Sequence, residues 1–80
     1  MRIEGHTDDI PISSRIFSSN WELSTARAVN VVKYFISEGG ILPERLSAAG
    51  YADSKPLFPN VSDHNRELNR RVEVILTLKK

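Results

Sequence analysis

Ser19-Asn20-Trp21-Glu22-Leu23-Ser24-Thr25-Ala26-Arg27-Ala28 is the stretch on which the fold turns. Ser19 followed three residues later by Glu22 has the spacing of a capping box, with Asn20 as a competing cap, so a helix is predicted to begin near Trp21. Gly39-Gly40 supplies the residue type that ends helices in the left-handed conformation, so the helix should stop there. At about 100° per residue, Ala28, Val31, Val32, Phe35 and Ile36 gather on one face, which should meet a sheet. Leu23, Arg27, Asn30 and Tyr34 fall on the opposite side. Arg27 therefore sits away from the buried face and near the positive end of the helix, where a cation is unfavourable unless an anion is close.

Upstream of this helix, Met1 to Gly5 contains β-branched Ile3 and reads as a strand that runs into Gly5-His6-Thr7-Asp8. A long polar loop follows, with Asp9, Pro11, Ser13, Ser14, Ser18 and Ser19, and loops of that length in small domains are commonly functional. Downstream, Pro43 suits the first position of a short helical turn within the Ile41 to Arg45 connection. Leu46 to Tyr51 reads as a second strand whose small residues allow a helix to pack closely. Ala52 to Val61, with Pro56, Pro59 and Asn60, is irregular. Ser62 can cap a short helix through about Asn69. Val72, Val74, Leu76 and Leu78 then alternate with Glu73, Ile75 and Thr77, the period of a strand with one buried face. The expected order is strand, helix, strand, helix, strand, an α+β arrangement in one domain over residues 1–80. Its first strand, helix and second strand should form a right-handed parallel unit, with the last strand antiparallel.

Eighty residues allow a single small core. Lys plus Arg number 11 and Asp plus Glu 10, a balance that lacks the basic footprint of a nucleic-acid binder. With no cysteine, disulfides, thiolate metal sites and cysteine nucleophiles are excluded. No apolar run approaches the roughly 20 residues that span a bilayer, and the first residues do not have the pattern of a signal peptide. His6, Asp8 and Asp9 do not make a metal site, because neighbours on a strand point in opposite directions and His64 lies in a distant element. A hydrolase would need a nucleophile elbow that is not present, so neither enzyme activity nor a cofactor is expected. Arg66, Arg70 and Arg71 read as a solvated basic face balancing Glu67 and Glu73, and Phe17 and Trp21 as side chains that fold the long loop onto the body.

An acid at a strand end and an arginine early in the next helix suit a ligand that carries both an amine and a carboxylate. Each residue also has a plainer reading. Asp8 alone is a turn residue, and Arg27 alone a solvated helix residue or a partner for Glu22 or Glu38.

The ordered set Gly5-His6-Thr7-Asp8, Asn20-x-x-Leu23-Ser24-x-x-Arg27-Ala28, Ile41-x-Pro43-x-Arg45, Gly50-Tyr51 and Asn69-Arg70-Arg71-Val72-Glu73 resembles the OmpA-like peptidoglycan-binding family. The long insertion from Asp9 to Ser19 is similar to its flagellar stator (MotB-type) branch. The resemblance implies a β/α/β/α/β two-layer sandwich that lacks the strand and helix preceding the Gly-His-Thr-Asp strand in other members. It implies a non-catalytic domain that binds the diaminopimelate-containing stem peptide of peptidoglycan and anchors a motor stator to the cell wall. In these terms Asp8 accepts from the ligand ammonium and Arg27 grips its carboxylate, Thr7, Asn20 and Leu23 line the pocket, and Arg71 contacts the stem or glycan. The parent protein would be a homodimer in the inner membrane with this domain in the periplasm, paired with a MotA-type subunit through segments outside this sequence. The alternatives are an envelope-tethering domain of Pal or OmpA type and a fragment that self-associates through an uncovered sheet edge.

Overall fold

The computed structural model describes residues 1–76. β1 (Arg2–His6) is followed by α1 (Asn20–Ser37), a 3-10 turn at Pro43–Arg45, β2 (Ser47–Gly50), α2 (Asp63–Asn69) and β3 (Arg71–Ile75). β1 is the central strand, parallel to β2 and antiparallel to β3. The element order and strand directions agree with the sequence reading.

Local chemistry explains where the elements begin and end. Ser19 is the N-cap of α1, its hydroxyl oxygen accepting from the Trp21 amide at 3.2 Å while its own proton goes to the Glu22 carboxylate. At the other end Gly40 takes φ +64°, which lets the Gly39 and Ile41 amides both reach the Phe35 carbonyl, at 3.1 and 3.2 Å. Pro43 opens the 3-10 turn, and Ser62 caps α2 by accepting from the Asn65 amide at 3.1 Å.

α1 lies across β1 and β2. Gly5 and Gly50, partners in the parallel register, permit this close approach. A β-carbon on Gly5 would collide with the Ser24 carbonyl, and one on Gly50 with Thr25. Of the face predicted to meet the sheet, Ala28 is buried, Val31, Val32 and Phe35 are half-buried, and Ile36 remains exposed. Ser24, which the hydrophobic pattern did not select, is fully buried.

The expected buried face of the last strand is not realised. Val74 pairs with Ile3 and Val72 with Gly5, so both lie on the α1 side of the sheet. Yet α1 packs on β1 and β2 and leaves β3 uncovered, so Val72 is only half-buried and Val74 and Leu76 are exposed. Thr77 and Leu78, the end of the predicted alternation, lie outside the described residues. Among described apolar side chains only Ile3, Ala28 and Ala52 are fully buried, a small core for a small domain.

Buried polar groups carry much of the remaining cohesion. Ser24 Oγ accepts from the Ala52 amide at 3.0 Å, and the Ala52 carbonyl accepts from the Thr7 amide at 2.8 Å, which joins α1, the end of β2 and the end of β1. Asn69 is fully buried and satisfied: its Oδ1 accepts from the Leu57 and Phe58 amides, and its Nδ2 donates to the Phe58 carbonyl and to Asn60 Oδ1. It organises the irregular 52–61 segment against the end of α2.

Candidate functional site

Where β1 ends, its next two residues, Thr7 and Asp8, lie at the mouth of a cleft of about 260 Å³. That is at the small end for ligand pockets and suits one amino-acid head rather than a large molecule. Thr7, Asp8, Asn20, Arg27 and Arg70 supply its polar lining, and Ile10, Pro11, Ile12 and Leu23 its apolar wall. Asp8 and Arg27 therefore face the same cavity, as do Thr7, Asn20 and Leu23.

The long loop is built to present Asp8. The Ile10 amide donates to Asp8 Oδ1 at 3.0 Å, a tight turn of the kind aspartate favours. Asn20, in the first turn of α1, donates from Nδ2 to the carbonyl of Ile10 at 3.0 Å and to that of Asp8 at 3.4 Å. Thr7 is buried and donates its hydroxyl proton to the Asp8 carbonyl at 2.9 Å. The turn reading of Asp8 and its place in the cleft are thus compatible.

Two arginines one helical turn apart fasten this loop to α2. Arg70 Nη1 donates to Asp8 Oδ2 at 2.6 Å, and Arg66 Nε to Asp9 Oδ1 at 3.0 Å, which raises the Arg66 pKa above its already high ordinary value. Asp8 is nearly buried while Arg70 is 44% exposed, so the pair is anchored on one side and wet on the other. Arg27 is exposed and makes no hydrogen bond or ion pair with a described residue. Neither of the partners considered for it, Glu22 or Glu38, engages it.

Arg71 is not at the cleft. As the first residue of β3 it points to the other face of the sheet, where it pairs with Glu73 and donates to the Asn69 and Lys55 carbonyls at 3.2 and 3.0 Å. The residue missed in the sequence was Arg70. It follows the last residue of α2, four positions after Arg66, and both arginines reach the loop that carries Asp8 and Asp9; the sequence reading places them on a solvated basic surface. The apolar wall of Ile10, Pro11 and Ile12 carried no signal of its own.

On that far face, the buried His6 ring stacks on Tyr51 with centroids 5.3 Å apart, and the Lys55 ammonium sits 4.2 Å from the Tyr51 centroid. Both His6 nitrogens lack a hydrogen-bond partner among the described residues, although Nε2 lies 3.6 Å from Glu4 and 3.8 Å from Glu73. Burial holds the imidazole below its ordinary pKa, with Arg71 pushing the same way and Glu73 and Glu4 opposing. Burial by itself would raise the Glu4 carboxyl, but the hydrogen bond and charge of Arg2, with His6, outweigh it and hold Glu4 low.

The OmpA family model matches residues 1–70. Motility protein B of Bacillus subtilis is 43% identical over 74 residues, covering 92% of this chain and 28% of that protein. The solved C-terminal domain of Helicobacter pylori MotB, part of that protein's periplasmic domain, superposes with a TM-score of 0.89 at 37% identity, covering 99% of this chain and 59% of that one. The cell wall anchor of the T6SS from Pseudomonas aeruginosa gives a TM-score of 0.82 at 38% identity, over 89% of this chain and 49% of that one. The chain spans under a third of the length of the first curated relatives it matches.

Proposed function

Since the chain belongs to the OmpA family, we propose that it is a non-catalytic domain that binds peptidoglycan through the diaminopimelate residue of the stem peptide. The free end of that residue carries an ammonium beside a carboxylate. Asp8 accepts from the ammonium, and Arg27 grips the carboxylate with its planar fork. The observation that carries the reading is that an acid and an arginine without a partner among the described residues line one small cleft. Asp8 has acceptor capacity to spare, because a carboxylate offers about four lone-pair sites and two are taken. Thr7 and Asn20 hold the loop that aims it, Leu23 contributes apolar contact, and Arg70 takes the place that the sequence reading gave to Arg71.

The similarity to motility protein B and to the MotB domain supports a role in holding a flagellar stator to the cell wall. The parent protein is then a homodimer of the inner membrane with this domain in the periplasm, paired with a MotA-type subunit through other segments. The similarity to a T6SS cell wall anchor supports a second reading, the same wall contact in an envelope tether without a motor.

Two charge-assisted anchors, at about 1.5 to 3 kcal/mol each, supply about 3 to 6 kcal/mol before the cost of association, so affinity for a single stem is weak, on the order of millimolar. Useful anchoring then comes from several domains meeting one polymer. Cosedimentation with purified peptidoglycan tests the proposal. The chain is expected in the pellet and the Asp8→Ala and Arg27→Ala variants in the supernatant; unchanged sedimentation of both variants removes the mechanism.

A further inference from the structure

Resting on the reading above, we infer that Arg70 is a second carboxylate site, and that the cleft selects stems ending at the diamino diacid over stems extended beyond it. The charge count of the cleft is the starting point. Its ionisable lining is Asp8, Arg27 and Arg70, one negative group against two positive. A simple amino-acid head has one charge of each sign and leaves one arginine uncompensated. A diamino diacid joined to the stem through one of its amines keeps one ammonium. It keeps two carboxylates when the stem ends there; when a further residue is attached one of them becomes an amide, and the only replacement is that residue's own terminal carboxylate, one residue farther from the ammonium. Only the ended form keeps both carboxylates on the diamino diacid itself, within reach of a cleft sized for one amino-acid head.

Arg70 has the donors for this task. Its Nη1 is committed to Asp8, while its Nε and Nη2 make no hydrogen bond to a described residue. Guanidinium offers five N–H donors in a fixed fork, so one arm can hold Asp8 in place while another takes a ligand oxygen. The side chain is 44% exposed and so reachable from solvent. Because it fixes the ammonium acceptor and meets the second carboxylate, Arg70 sets the spacing between those two ligand groups. Arg27, on the α1 side of the same cleft, is left for the carboxylate that neighbours the ammonium.

The probes are mono-N-acetyl-meso-diaminopimelate, which has one ammonium and two carboxylates, and the same molecule amidated at the carboxylate of its acetylated end. Each is titrated into the 80-residue chain by calorimetry or amide shift mapping. The free acid is expected to bind about tenfold more tightly than the amide, the low end for one charge-assisted hydrogen bond in a partly wet setting. In Arg70→Gln the difference should fall to about twofold or less, and Arg70→Lys, which keeps the charge and loses the fork, should retain part of it. Equal affinities in the unmodified chain overturn the inference and leave the wall-binding reading standing. A preference that survives intact in Arg70→Gln also overturns the assignment to Arg70. Failure of both probes to bind overturns the wall-binding reading together with the inference.

Discussion

Arg70 donates to Asp8 across 2.6 Å, so the residue that leads into β3 holds the acid that follows β1. The segment after β1 and the segment before β3 meet at the cleft. Asp8 is consequently a structural group as well as the proposed ammonium acceptor, whereas Arg27 is committed to nothing in the described protein.

That difference separates the two anchors in a stability measurement. Asp8→Ala removes the Ile10 turn contact and leaves Arg70 unpaired. It should cost about 1 to 2 kcal/mol, the ion pair being discounted because its arginine is wet. Arg27→Ala should change stability by about 0.5 kcal/mol or less. Denaturant titration of both variants checks this, and equal losses would mean that Arg27 has a structural partner.

Asn69 is the buried amide on which the 52–61 segment hangs. Replacing it with alanine leaves two backbone amides and the Phe58 carbonyl without their partner. We expect a loss of about 3 kcal/mol or more, large for a domain of this size. Proteolysis of the native state should then cut first near Phe58.

Gly5 is required by the approach of α1 to β1. A methyl group there meets the Ser24 carbonyl, which belongs to the helix backbone and cannot swing aside. Gly5→Ala should destabilise the fold by about 1 to 3 kcal/mol or more through overpacking. A thermal midpoint within a degree or two of the unmodified chain would contradict the helix–strand contact described here.

His6 gives a pH dependence whose sign is fixed. Its folded pKa lies below the ordinary 6.5, so the unfolded chain takes up protons first as the medium is acidified. Its contribution to stability is complete above 6.5 and is lost as pH falls from there toward the lower folded value. Glu4, also depressed, adds its own loss only as pH falls below 4.5. Thermal melts at about pH 7.5 and about pH 5 therefore isolate the histidine. His6→Phe keeps the stack on Tyr51 and removes two unpartnered nitrogens, so it should abolish the decline over that interval with little cost at the higher pH.

The elements were legible in the sequence because their boundaries are set by local chemistry: the Ser19 cap, the left-handed Gly40, Pro43 at the head of its turn, and Ser62 before α2. That Asp8 and Arg27 share one cleft was expected from the family resemblance, while residue patterning by itself gave only that Arg27 lies off the core face of α1. Tertiary facts were less so. Whether Arg70 or Arg71 reaches Asp8 depends on where α2 stops and β3 begins, and a shift of one residue there sends a side chain to the opposite face of the sheet. Periodicity put Val74 on the side of the sheet that α1 occupies but did not foresee that Val74 and Leu76 are exposed, since burial needs a second surface and α1 packs mainly on β1 and β2. Ser24 was invisible for the opposite reason, as a polar residue buried to serve the Ala52 amide rather than to fill space.

The most direct measurement is a titration of the isotopically labelled chain with free meso-diaminopimelate, following backbone amides. Saturable shifts confined to residues 7–12, 20–27 and 70 in the unmodified chain, and abolished in Arg27→Ala while its spectrum stays folded, are the expected result. Shifts that map elsewhere, or binding that is unchanged in Arg27→Ala, would contradict the claim that Asp8 and Arg27 hold one zwitterionic head between them.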